Sequence, residues 1–155
     1  VEAVKKSLGG AVGVVLQMPF YAGIAGLISY NGGSTGVSIA QVIAGFFVHI
    51  SNAQTFPLFT CLSAVIVKLF VPSGGAQWAV QGPIVMQAVQ SFMPAVSEGK
   101  AAMALSWGNS CCNLLQPFWL IPVLEVALKV RDVMGYCVIC LIALLVIISA
   151  GLLFL

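Results

Sequence analysis

Between Lys6 and Lys68 the chain carries no Asp, Glu, Lys or Arg, and after Asp132 it carries none as far as Leu155. His49 is the only residue of the first gap whose side chain ordinarily gains charge near neutral pH. Such stretches cannot face water on all sides, since soluble domains carry about a quarter charged residues. Here 6% of the 155 residues are charged and 61% are hydrophobic, with a mean hydropathy of +1.10. In hydrocarbon every backbone N–H and C=O must be paired within the protein, which leaves helices or closed barrels. The apolar runs are solid instead of alternating, which disfavours a barrel. The pattern therefore predicts an all-α, polytopic membrane protein.

Residues 10–30, GAVGVVLQMPFYAGIAGLISY, are long enough to cross about 30 Å of hydrocarbon as one helix. Lys5 and Lys6 flank this span, Pro19 predicts a kink, and Gly23 and Gly26 would admit a close neighbouring helix. NGGSTG then reads as a turn, followed by a second expected crossing at 37–56 and the polar insert SNAQTFP at 51–57. Another interruption, VPSGGAQWAVQGP at 71–83, lies between apolar segments each only about 20 Å long as helix. Two half-length helices around a polar, Gly/Pro-rich tip predict a re-entrant helical hairpin over 58–96. After the aqueous loop SEGK, residues 101–128 read as a transmembrane helix broken at GNSCCN, and 133–155 as a final lipid-facing span. If Lys5/Lys6 and Lys129/Arg131 are both cytoplasmic, the crossings between them must be even in number, yet these assignments total three. That conflict falls on 37–56. The missing initiator methionine and signal peptide, and the end within an apolar run, lead us to expect a piece of a longer chain.

An unwound helix in protein-lined lipid offers N–H groups at one half-helix and carbonyls at the other, suited to an anion and a small cation respectively. Ser73, Gly74, Gly75, Gln77 and Gln81 from the first interruption, with Gly108, Asn109, Ser110 and Asn113 from the second, are accordingly the candidate substrate-binding residues. Glycine lets backbone approach a ligand, and amides both donate and accept. The competing reading is that Gly and Pro only kink helices while Asn and Gln join them. Ser51, Asn52, Thr55, His49 and Trp78 are weaker candidates for ion binding or gating, and no metal is specified. Neither interruption contains a charged residue, so a monocarboxylate suits such a site better than a di- or tricarboxylate.

Cys61, Cys111, Cys112, Cys137 and Cys140 lie in or beside apolar segments, where packing as small hydrophobes is the default. A net charge of +2 argues against nucleic-acid binding. No HExxH, GxSxG or carboxylate pair beside a nucleophile is present, so an enzyme is not expected and no cofactor is implied.

VPSGGAQWAVQGP and SWGNSCCNLLQPFWLIP, together with YAGIAGLI and HISNAQTFP, resemble the short-chain fatty acid transporter family, the AtoE-like proteins, over essentially the whole chain. The resemblance implies the C-terminal part of a transport domain about three times as long, whose N-terminal part would be its partner. That family resembles the larger ion-transporter superfamily, built as inverted repeats of a re-entrant hairpin and a broken helix. SNAQT is also similar to the Ser-Asn-Thr tip motif of sodium-coupled dicarboxylate carriers, so either insert could be the hairpin tip. The implied activity is secondary transport of acetoacetate- or butyrate-like monocarboxylates across a bacterial inner membrane by alternating access, coupled to Na+ or H+. The multi-pass protein would be surrounded by lipid, with a homo-oligomer left open. Two other classes compete: an ion channel or pore, and a structural membrane subunit that does not transport.

Overall fold

A computed structural model of the chain describes residues 12, 15–16, 19–20, 22–32, 36–116 and 129–154. The described regular structure is all-α. Residues 22–29 are helical, followed by α1 (Ile39–His49), α2 (Phe56–Phe70), α3 (Gly74–Gln90), α4 (Glu98–Cys112), a short 3-10 turn (Asn113–Leu115) and α5 (Val130–Phe154).

Each boundary has a local cause. Ser38 caps α1 in a capping box, its hydroxyl accepting from Gln41 N at 3.2 Å while Ser38 N donates to Gln41 Oε1 at 2.8 Å. Pro57 sits in the first turn of α2, where a missing N–H is harmless. Pro72 stops α2, since the residue before a proline avoids the helical region, and Val71 indeed has ψ 87°. Ser73 and Ser97 cap α3 and α4 by accepting from Ala76 N and Lys100 N.

Helices α2 and α3 form an antiparallel hairpin turning at Val71–Ser73. Gln77 bonds the Ala64 carbonyl, Gln81 bonds Ser63, and Phe56 packs with Val85 and Val89. Helix α4 runs parallel to α2, with Ala101 beside Phe56, Ala104 beside Cys61, and Gln116 donating to Lys68 O at 2.6 Å. The far end is closed by the Phe56–Phe92 ring pair at 4.9 Å, and the turn end by Val67 and Val71 against Ala40 and Val80. Helix α5 lies across this group through Ile148 and Leu152, while Ile139, Val146 and Ile147 are about two-thirds exposed. At 25 residues it is the one described helix long and apolar enough to cross a membrane.

The interruptions are narrower than the sequence suggests. Helix α3 starts at Gly74 and continues through Pro83, so the first break is three residues long. The second does not fall at Gly108–Ser110, which are helical to Cys112; the chain leaves the α-helix at Asn113–Gln116. Polar side chains here bond across to other helices and leave their own backbone helical. The expected crossing at 37–56 contains an α1 of 11 residues, about 17 Å at 1.5 Å per residue. Close helix approach occurs at Gly108, where a Cβ would overlap the Cys61 carbonyl oxygen and press on Ala64 Cβ at 2.8 Å. A Cβ at Gly23 or Gly26 would meet nothing within 4 Å, so those glycines admit no close neighbour among the described residues. The far half of the expected 101–128 helix, beyond Gln116, lies outside the described residues, as does much of 10–30.

Candidate functional site

Three helix ends meet at the hairpin turn: the C-termini of α2 and α4 and the N-terminus of α3. Two adjoining cavities open there. One, of about 250 Å³, is lined by Gly74, Gln77, Trp78, Leu105, Ser106, Asn109 and Ser110. The other, of about 720 Å³, shares Gly74, Asn109 and Ser110 and adds Lys68, Pro72, Asn113 and Leu114. Small-molecule sites commonly occupy about 300–1,000 Å³. The smaller cavity therefore suits a ligand of a few heavy atoms.

A hydrogen-bonded row of side chains runs from its wall at Asn109 and Gln77 into the helix packing behind. Asn109 Nδ2 donates to Gln77 Oε1 at 2.5 Å, Gln77 Nε2 to Gln81 Oε1 at 3.0 Å, and Gln81 Nε2 to Ser63 Oγ at 2.7 Å. Ser63 Oγ donates in turn to Thr60 O at 2.9 Å, and Gln77 Nε2 also reaches Ala64 O at 2.8 Å. Gln77 and Gln81 are fully buried. Amides alone at such depth would be costly, but joined end to end they fix the register of α2, α3 and α4. Their spacing of four places both glutamines on one face of α3.

Not every expected residue belongs to the cavities. Gly74, Gln77, Asn109, Ser110, Asn113 and Trp78 line them. Gln81 lies behind Gln77 in the amide row, Gly75 lines neither cavity, and Ser73 caps α3 and faces an apolar groove with Ala22, Ala25 and Ala76. Gly108 is buried against α2 and contributes packing.

The SNAQT insert lies at the other end of α2, about 22 Å away along a 15-residue helix. There Asn52 Oδ1 accepts from Gln54 N, Thr55 N and Thr55 Oγ1, each at 3.0 Å, and Thr55 Oγ1 also accepts from Asn52 N at 3.1 Å. Ser51 Oγ donates to Val48 O at 2.6 Å, and His49 is exposed at the end of α1. These groups serve their own turn, and none lines either cavity.

Lys68, which the sequence allows either to extend to a headgroup or to face a water-filled cavity, was not among the expected site residues. It sits one turn before Pro72, is 2% exposed, and donates from Nζ to Pro72 O at 2.5 Å. Neither interruption carries a charge, but an ammonium from outside them lines the larger cavity. Burying an ammonium is costly unless it is paired and hydrogen-bonded, so its placement calls for a role. The signal available in sequence was the isolation of Lys68 within an apolar run just before a Pro/Gly turn.

Among the described residues no group of three or more His, Cys, Asp or Glu could hold a metal ion. Cys61, Cys111, Cys112 and Cys137 are buried free thiols, and Cys140 is exposed.

A family model described as short chain fatty acid transporter matches residues 1–155. A protein of Escherichia coli (strain K12), provisionally named a short-chain fatty acid transporter, is 38% identical over 138 residues, 88% of this chain and 30% of its own length. One of the same provisional name from Haemophilus influenzae (strain ATCC 51907 / DSM 11121 / KW20 / Rd) is 37% identical over 155 residues, 99% of this chain and 33% of its own. The chain thus spans about a third of the length of these curated relatives. No solved structure matches it at a significant level.

Proposed function

The chain belongs to the short-chain fatty acid transporter family, a transporter and not an enzyme family, and on that premise we propose that it carries part of the substrate path of a secondary transporter for short-chain monocarboxylates. The protein works by alternating access in a bacterial inner membrane and passes through it several times. Hairpin α2–α3 is re-entrant, with Val71–Ser73 stopping inside the membrane, and α4 is the first half of a crossing interrupted at Asn113–Gln116. Helix α1, too short to cross, returns to its own side. Removing it from the count leaves two crossings between Lys6 and Lys129, consistent with both lying on the cytoplasmic face.

The observation that carries this reading is the cavity where the three helix ends converge, lined by Lys68, Gly74, Gln77, Asn109 and Ser110. The start of α3 presents N–H groups without intrahelical acceptors, favourable to a carboxylate, while Trp78 and Leu105 offer apolar surface for a short alkyl chain. The ends of α2 and α4 present carbonyls, the ligands a coupling cation would take. Movement of the hairpin against α4 would break the Asn109–Gln77 bond and open the cavity to one side.

Uptake of labelled butyrate by the full-length protein in proteoliposomes, with sodium and proton gradients imposed separately, tests the reading. Accumulation driven by one gradient supports transport and names the coupling ion. Folded protein that accumulates no short-chain monocarboxylate under either gradient contradicts it and favours a channel or scaffold.

A further inference from the structure

We propose that the Lys68 ammonium binds the carboxylate of the substrate and is the residue that selects monovalent anions at this cavity. The inference rests on the cavity being the substrate site, and goes beyond it by assigning the charge recognition to one side chain.

Lys68 is almost wholly buried, yet it borders the larger cavity beside Gly74, Asn109 and Ser110. An ammonium has three donors, and here one goes to the Pro72 carbonyl at 2.5 Å. No carboxylate pairs with it among the described residues. Glu98 accepts from Gln90 Nε2 at 2.5 Å at the opposite end of α4, and Asp132 is exposed in the first turn of α5. A buried cation with one carbonyl partner and no counter-ion among the described residues leaves a positive potential in the cavity, which a carboxylate would neutralise.

The surroundings hold the ammonium in place. Gln116 Nε2 donates to the Lys68 backbone carbonyl at 2.6 Å and the Pro72 carbonyl accepts from Nζ, so both the backbone and the side-chain tip of Lys68 are held. With one carboxylate oxygen on Nζ, the other can accept from the first turn of α3 or from Asn109 or Ser110. Charge then decides the substrate class. One ammonium and one carboxylate sum to zero in a low-dielectric cavity, whereas a dicarboxylate would leave a buried negative charge and a neutral amide would leave the ammonium unpaired.

The experiment is equilibrium binding of radiolabelled butyrate to the purified full-length protein, compared with Lys68→Met and Lys68→Arg, with butyramide and succinate as competitors. Lys68→Met is expected to weaken butyrate binding at least about tenfold and to lose the preference for butyrate over butyramide. Lys68→Arg should keep that preference. In the unsubstituted protein, butyramide and succinate should each compete at least about tenfold less well than butyrate, an arm that requires no variant to fold. Equal competition by butyramide, or unchanged affinity in folded Lys68→Met, overturns the inference alone. Failure of the unsubstituted protein to bind butyrate overturns the cavity assignment together with it.

Discussion

The polar residues at the two ends of α2 look alike as sequence and behave oppositely in the fold. At SNAQT, Asn52 and Thr55 satisfy each other and the turn that begins α2, with partners no more than three residues away. At the other end, Asn109 bonds Gln77 across 32 positions and Gln81 bonds Ser63 across 18. Local bonds build a helix start, and distant ones build a wall between helices with a cavity beside it. The reach of a side chain's hydrogen bonds, more than its polarity, separates a cap from a candidate site.

Five substitutions can break or sharpen that contrast. Gly108→Leu should be the most damaging, because the new side chain would overlap the Cys61 carbonyl; overpacking here should cost about 3 kcal/mol or more, read as loss of folded protein in membranes. Gln77→Leu removes the centre of the amide row and orphans the Asn109 amide and Gln81 Oε1, and should lower stability by about 2 kcal/mol in thermal unfolding. Asn109→Ala alters the cavity wall itself and should raise the KM for butyrate uptake about tenfold, or about 1.4 kcal/mol of lost binding. Asn52→Ala should cost about 1 kcal/mol through lost turn hydrogen bonds while leaving that KM unchanged. Smallest is Ser51→Ala, which loses one local bond and should stay within about 0.5 kcal/mol. A raised KM in Asn52→Ala beside an unchanged one in Asn109→Ala would reverse the contrast.

Much of the architecture could be read from sequence, because it follows from solvent and from proline. The charge gaps pointed to apolar helices, the final run became α5, and the interruption expected at 71–83 narrowed to a turn at Val71–Ser73 between two helices. The break expected at Gly108–Asn113 falls later, at Asn113–Gln116, because residues of modest helix propensity stay helical where packing holds them. Gly108 is there to let α4 touch α2, and Asn109 directs its amide at Gln77, so the backbone stays helical. Gly74, Gln77 and Asn109 were legible as polar residues near a turn, but nothing local indicated that residues 32 positions apart would meet. Lys68 was left undecided for a related reason: one lysine in an apolar run can extend toward headgroups or face a cavity, and only the packing of α4 beside α2 encloses it. Ser51, Asn52 and Thr55 drew attention through composition, which does not distinguish a self-satisfied turn from a binding site.

The most direct test is the rate at which a membrane-impermeant thiol reagent modifies Ser110→Cys in full-length protein carrying Cys140→Ser, with and without butyrate, using Asn52→Cys as the comparison. If the cavity beside α3 and α4 holds the substrate, butyrate should slow modification of Ser110→Cys several-fold, about the effect of half to nine-tenths occupancy, and leave Asn52→Cys unaffected. Protection of Asn52→Cys with none at Ser110→Cys would contradict the account and move the substrate to the opposite end of α2.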